Sequence, residues 1–156
     1  YGFVCQFKDL VSRNKNGKAI LTLPTGAKVL NPVAVNDVSS ESVVAISNEG
    51  RMLVFPVADL PQLSKGKGNK ILSIPALRAQ SREEYVVALA TIPAGATLTL
   101  QAGKRKLTLK PADLDHYRGE RGRRGNKLPR GLQRVDGVTV ELPQNAEASD
   151  AEEAGT

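Results

Sequence analysis

The sequence predicts an all-β chain of roughly three blades, each of about four strands, and three observations carry that expectation. Nine Pro and 14 Gly are spread along 156 residues and interrupt every window that would otherwise hold a helical apolar period. Short β-branched runs of strand length recur instead. A script of about fifty residues is also repeated, as a radial β architecture requires.

Taken in order, residues 1–7 open as a strand-like run without an initiator Met, which reads as the interior of a longer protein. Runs at 19–23 and 29–35 follow, then a hairpin in which 43–46 turns through Ser47-Asn48-Glu49-Gly50 into 51–55. Further runs lie at 70–74 and 85–92. A second hairpin joins 97–100 to 106–109 through Gln101-Ala102-Gly103, and its alternation puts Leu98, Leu100, Leu107 and Leu109 on one face with Thr97, Thr99 and Thr108 on the other. The last run is 138–142.

Each repeat carries a strand, an Asp-Leu pair, a basic glycine-containing loop and another strand. The pairs are Asp9-Leu10, Asp59-Leu60 and Asp113-Leu114, and the loops are 14–18, 64–70 and 119–127. Gly68-Asn69-Lys70-Ile71 and Gly125-Asn126-Lys127-Leu128 are nearly the same words, as are Ile20-Leu21-Thr22-Leu23-Pro24 and Ile71-Leu72-Ser73-Ile74-Pro75. The blades are expected at about 1–42, 43–92 and 93–143, with 144–156 an acidic disordered tail. Blades stacked around a ring would place equivalent loops on one rim. The repeated Asp residues suit turn or helix-capping work.

Charge points the rim at a polyanion. The net charge is +6, and the tail's Glu147, Asp150, Glu152 and Glu153 conceal a body at 22 − 12 = +10. Residues 104–134 hold 11 Lys or Arg against Asp113, Asp115 and Glu120, a net +8. Nucleic acid is the commonest such partner in a cell. Glycine lets backbone N–H groups approach a phosphate, while Lys and Arg supply charge without reading bases. The candidate contacts are Arg118, Arg121, Arg123, Arg124, Lys127, Arg130 and Arg134, then Lys104, Arg105 and Lys106 at the hairpin tip, then Lys65, Lys67 and Lys70. Three Tyr, three Phe and no Trp leave few rings for stacking single-stranded bases, so duplex DNA is the expected ligand.

Other chemistries lack their residues. His116 and Cys5 are the sole histidine and cysteine, too few for a zinc site, a Cys/His pair or an intrachain disulfide. No Walker loop or dinucleotide fingerprint occurs, no apolar run spans a membrane, and no residue has grounds for a catalytic role. Two other functions fit the charge: an RNA-binding β module using segment 118–131, and an adaptor that docks an acidic protein partner.

The run Tyr1-Gly2-Phe3-Val4, the segment 55–71, and the stretch from Gly103-Lys104-Arg105-Lys106 through Gly119-Glu120-Arg121-Gly122-Arg123-Arg124-Gly125 to Arg130-Gly131-Leu132-Gln133-Arg134 resemble the C-terminal domain found in the A subunit of bacterial DNA topoisomerase IV, a type IIA topoisomerase. The resemblance covers residues 1 to about 141 and implies a β-pinwheel related to that of the gyrase A subunit, whose basic rim bends or wraps a duplex. It implies that the domain presents the transported segment for ATP-dependent decatenation and relaxation during chromosome segregation, while a Tyr in an upstream part cleaves DNA. Mg²⁺ and ATP would serve the parent enzyme, with ATP on the other subunit and no cofactor here. The implied partners are the B subunit of topoisomerase IV, a second copy of the A subunit and a condensin of the SMC type. The implied location is cytoplasmic and nucleoid-associated, with peripheral attachment at the inner membrane also consistent with the family. The gyrase hallmark Gln-Arg-Arg-Gly-Gly-Lys-Gly is missing, which favours decatenation and relaxation over negative supercoiling.

Overall fold

A computed structural model describes residues 1–23 and 27–142, so the expected acidic tail at 144–156 lies outside the described residues. Strands β1 (Ser42–Ser47) and β2 (Arg51–Pro56) form the first hairpin, in register from Ser42 opposite Pro56 to Ile46 opposite Met52. Gly50 closes its turn at φ +77°, a left-handed conformation that glycine adopts at little cost, and its N–H donates to the Ser47 carbonyl at 3.0 Å. Strand β3 (Val86–Ile92) covers the other edge of β1, with a register shift between Ile46 and Ser47. The second hairpin is β4 (Thr97–Ala102) and β5 (Arg105–Leu109), turning on Gly103 at φ +62°. Leu98 faces Leu109 and Leu100 faces Leu107, as the alternation predicts. Two short strands, β6 (Asn126–Lys127) and β7 (Gly137–Glu141), complete sheets ordered β3-β1-β2-β6 and β5-β4-β7. Helices are single turns or little more: α1 (Ala76–Gln80) and α2 (Pro111–Leu114).

The first sheet is a partition between two cores. Val44, Ile46, Met52 and Val54 point toward the second sheet and pack with Ile92, Leu98, Leu100, Leu109, Leu114 and Leu128. Val43, Ala45, Leu53 and Phe55 point the other way, against Val57, Ile71 and Leu72. A strand buried on both faces needs an unbroken apolar run rather than alternation, which is why Val43-Val44-Ala45-Ile46 shows no period of two. Burial of Phe55, fully enclosed, contributes about 1.5–3 kcal/mol.

The repeat is visible in hydrogen bonds. Asn69 exchanges backbone bonds with Gly2, at 2.9 Å each way, as Asn126 pairs with Met52. The Leu63 N–H donates to the Val4 carbonyl at 2.9 Å, as the Gly119 N–H does to Val54 at 3.0 Å. Gly68 and Gly125 occupy the same slot at φ +81° and +77°, each pressed against the carbonyl of the strand it crosses, Gly2 and Met52. The second and third glycine loops therefore each pair with chain upstream, Asn69 by a single bridge to Gly2 and Asn126–Lys127 as the short strand β6 on the edge of β2. The Asp-Leu pairs close helical turns after a strand, and the carboxylates of Asp9 and Asp113 accept from the N–H groups of Gln6 and Lys110 at 3.2 and 3.1 Å.

Three expected strands do not form, at 19–23, 29–35 and 70–74. The first and third meet only glycine loops. The Gly66 N–H donates to Ile20 at 2.7 Å and the Gly122 N–H to Ile71 at 2.9 Å. A loop that bends away after one or two bonds cannot extend a ladder. Among the described residues, 29–35 makes no ladder with a neighbouring strand; Val29 is 54% exposed, and the segment is tied to β3 by the Thr91 hydroxyl donating to the Ala34 carbonyl at 2.8 Å. Residues 1–7 likewise make single bridges, at Gly2 and Val4, in place of a continuous strand.

Candidate nucleic-acid interface

The three basic loops lie in series. After loop 14–18, the chain at Ile20 and Thr22 is hydrogen-bonded to Gly66 of the second loop. After that loop, the Lys70 carbonyl accepts from the Arg121 guanidinium at 2.8 Å, and Ile71 accepts from Gly122 of the third. Positive φ at Gly66, Gly68, Gly122 and Gly125 turns the second and third loops sharply where they meet the chain that follows the loop before. The third loop runs on through Lys127, opposite Arg51, to a turn at 129–132 where Gly131 underlies the Arg105 guanidinium. Cβ-less Gly131 is what admits that contact. The hairpin tip with Lys104, Arg105 and Lys106 thus joins the same stretch of surface as Arg130.

Side-chain exposure separates the candidates. Lys65, Lys67, Lys70, Lys104, Arg105, Lys106, Arg118, Arg123, Lys127, Arg130 and Arg134 are exposed, while Arg121 and Arg124 are partly buried. Lys67 Nζ stands 3.8 Å from the centre of the Tyr1 ring. The exposed Asp136 accepts from the Gly103 N–H at 2.9 Å at the hairpin tip, and two exposed ion pairs sit within the patch: Glu120 accepts from Arg123 at 3.0 Å and Asp115 from Arg118 at 3.2 Å. Exposed pairs of this kind contribute about 0–1 kcal/mol, so an incoming phosphate displaces them at little cost.

Arg124 differs from the rest. Its guanidinium grips the Glu84 carboxylate with both prongs, Nη1 to Oε1 at 2.5 Å and Nη2 to Oε2 at 2.6 Å, and Nη1 also donates to the Ser73 carbonyl at 2.9 Å. Glu84 has no solvent exposure. Arg78 Nε approaches its Oε2 at 3.8 Å while Arg78 Nη2 bonds Glu49 at 2.9 Å. Burial by itself pushes the Glu84 carboxyl up, but the bonds and charge of Arg124, with the charges of Arg78 and Arg51, outweigh it and hold the carboxyl below the usual glutamate range. A depressed folded-state pKa means that this stabilisation is present above the unfolded value, about 4.3, and is lost as pH falls through the folded one. We expect the thermal midpoint to decline on acidification below about pH 4.3, and Glu84→Gln to make that decline shallower; calorimetry from pH 7 downward checks both. Sequence reasoning missed Glu84 because Ser81-Arg82-Glu83-Glu84 has the composition of a solvated turn, and nothing local marks its partner forty residues on.

The other singled-out residues lie away from any reactive cluster. Tyr117 is buried in the core between the two sheets; burial first, then the Asp113 charge, pushes its phenol up and makes the oxygen harder to ionise. His116 packs edge-on to Tyr117, with ring centres 5.0 Å apart. Cys5 is a free, half-buried thiol. Among the described residues no group of three or more His, Cys, Asp or Glu is arranged to hold a metal ion, and no helix is long and apolar enough to cross a membrane.

Known proteins resemble the chain in sequence and fold. The family described as DNA gyrase C-terminal domain, beta-propeller, matches residues 41–93. The chain is 61% identical over 143 residues to the A subunit of DNA topoisomerase 4 from Pseudomonas aeruginosa, covering 92% of the chain and 19% of that protein. It is 53% identical over 153 residues to the Escherichia coli K12 protein of the same name, covering 98% of the chain and 20% of the relative. The chain thus spans about a fifth of the length of these relatives. Among solved structures, the E. coli ParC C-terminal domain superposes with a TM-score of 0.83 at 54% identity, over 92% of the chain and 57% of that domain. A further topoisomerase IV C-terminal domain, at 14% identity and a TM-score of 0.53 over 76% of the chain and 41% of its own length, shares the fold.

Proposed function

The chain belongs to the family of C-terminal domains of the topoisomerase IV A subunit, and from that premise we propose that its basic surface binds and bends duplex DNA. The observation that carries the proposal is the continuity of cation-bearing glycine loops, from 14–18 through Gly66 and Lys70 to Arg121, and on through Lys127 to the Arg105 tip. Contacts of this type neutralise phosphates and leave base edges unread, so binding is tolerant of sequence. Eleven of the 13 predicted contact residues are exposed enough to serve: Lys65, Lys67, Lys70, Lys104, Arg105, Lys106, Arg118, Arg123, Lys127, Arg130 and Arg134. Blade limits near 42 and 92 belong to the same proposal, with the sheet β3-β1-β2 completed by β6 from the next unit.

In the parent enzyme this surface would hold the transported segment for decatenation and relaxation driven by ATP on the other subunit, with strand cleavage and its Mg²⁺ in the upstream part. The B subunit and a second copy of the A subunit would be reached through that part, and an acidic condensin would compete for the rim. The chain itself would contribute binding and curvature, in the cytoplasm at the nucleoid. The test is to ligate a nicked plasmid with the protein bound and count the trapped linking difference. A shift that grows with protein concentration is the expected outcome, and an unchanged distribution of topoisomers would defeat the bending claim. Competition sharpens it: preference for structured RNA over duplex by more than about tenfold would favour the RNA-binding function instead.

A further inference from the structure

We propose that Glu84 and Arg124 are positioning residues: the buried carboxylate staples the third glycine loop, and Arg124 serves as the staple's prong, leaving Arg123 and Lys127 to meet the ligand. The inference rests on the DNA-binding reading for its ligand, but its geometry stands independently. Both guanidinium prongs of Arg124 are taken by Glu84, and Nη1 also serves the Ser73 carbonyl. Its side chain is about a third exposed, 32%, against 70% for Arg123. Glu84 is wholly enclosed, so a single lost partner strands a charge out of water. The groups that face it are Arg124 and Arg78, with Arg51 adding charge from β2.

The staple sits where the loop needs one. Loop 119–125 leaves β2 at Gly119 and returns to it at Asn126; between those points its backbone is tied to the strip 71–73 by Gly122 donating to Ile71 and Arg123 accepting from Ser73, both 2.9 Å, and to β2 by the Arg51 guanidinium donating to the Gly125 carbonyl at 3.2 Å. Ser73 is also the residue whose carbonyl Arg124 reaches. Side chain and backbone therefore fasten the same two strips of chain together. The second loop has a different arrangement, with Lys67 lying over the Tyr1 ring. A bidentate Arg–carboxylate pair fixes direction as well as distance, which a lysine cannot do.

The experiment measures duplex binding over a salt series for the chain and for Glu84→Gln and Arg124→Gln, together with backbone amide exchange in the absence of DNA. With a staple, both variants bind about tenfold more weakly, because a loop in its competent form a tenth of the time loses that factor. The slope of log affinity against log salt stays at the parent value for Arg124→Gln, and the amides of Gly122 and Ser73 exchange faster in both variants. A direct phosphate contact reverses the pattern: Arg124→Gln lowers the slope by about 0.9, and Glu84→Gln, by removing a negative charge, tightens binding. Either of those results, or unchanged protection at Gly122 and Ser73, overturns the proposal. Should a variant also lose protection in β1 and β2, Arg124→Lys, which keeps the charge without the fork, decides instead: weaker binding with faster exchange at Gly122 and Ser73 supports the staple, and parent-like affinity and protection overturn it. If the parent chain itself fails to bind duplex, the functional reading falls, while the amide exchange still decides the staple.

Discussion

Raising monovalent salt from about 50 to about 200 mM is expected to weaken duplex binding by about a thousandfold. Each neutralised phosphate releases close to 0.9 of a condensed counterion, so about six contacts give a log–log slope near −5. Six is a modest demand on the 11 exposed cations that line the loops and the hairpin tip. The competing contribution, hydrophobic or base-stacking contact, is insensitive to salt, and among the described residues the large exposed rings that could stack are Tyr1, which Lys67 already covers, and Phe7. Replacing Lys104, Arg105 and Arg130 together by Gln should lower the slope by about 2.7. Fluorescence anisotropy with a labelled duplex measures both quantities, and an affinity that is flat across the range would sink the electrostatic account.

Gly125→Ala should be strongly damaging for a single added methyl, at about 3–4 kcal/mol. Its φ of +77° costs any L side chain roughly 1–2 kcal/mol. In addition, a Cβ there would lie 2.6 Å from the Met52 carbonyl oxygen and 3.0 Å from its carbon, near the start of β2. Backbone on both sides leaves nothing free to swing away. Gly103→Ala is the matched control, since φ is +62° but nothing lies within 4 Å of the added methyl, so the loss should be about 1–2 kcal/mol. At roughly 2–4 °C per kcal/mol for a chain of this size, the first variant melts some 6–16 °C below the parent and the second 2–8 °C below. Equal melting points for the two would show that the close approach to Met52 carries no weight.

Features determined locally are legible in the residues themselves. The two hairpins follow from Asn48 and Gly50, and from the Leu98/Leu100 and Leu107/Leu109 alternation, because turn residues and face patterns act over a few positions. The repeated Gly-Asn-Lys words also keep their meaning: Asn69 and Asn126 make equivalent bridges to the strand of the preceding unit, at Gly2 and Met52. Whatever a distant partner settles is not legible in this way. Runs 19–23 and 70–74 have strand composition, yet they meet a loop that turns off after Gly66 or Gly122, and composition says nothing about the neighbour's path. Arg124 and Arg123 are adjacent and chemically identical, and only the position of Glu84 separates an internal tie from an outward cation.

A β6 strand coded after residue 125 but hydrogen-bonded to β2 makes the units dovetail. A cut made at a unit boundary would strip the edge from the sheet upstream, so the architecture resists subdivision into independent pieces. A bent duplex pulling on loop 119–127 would load that seam in shear, across the Asn126–Met52 and Lys127–Arg51 pairs. The strain of curvature would then be shared between neighbours and would not fall on the loop that grips the phosphates.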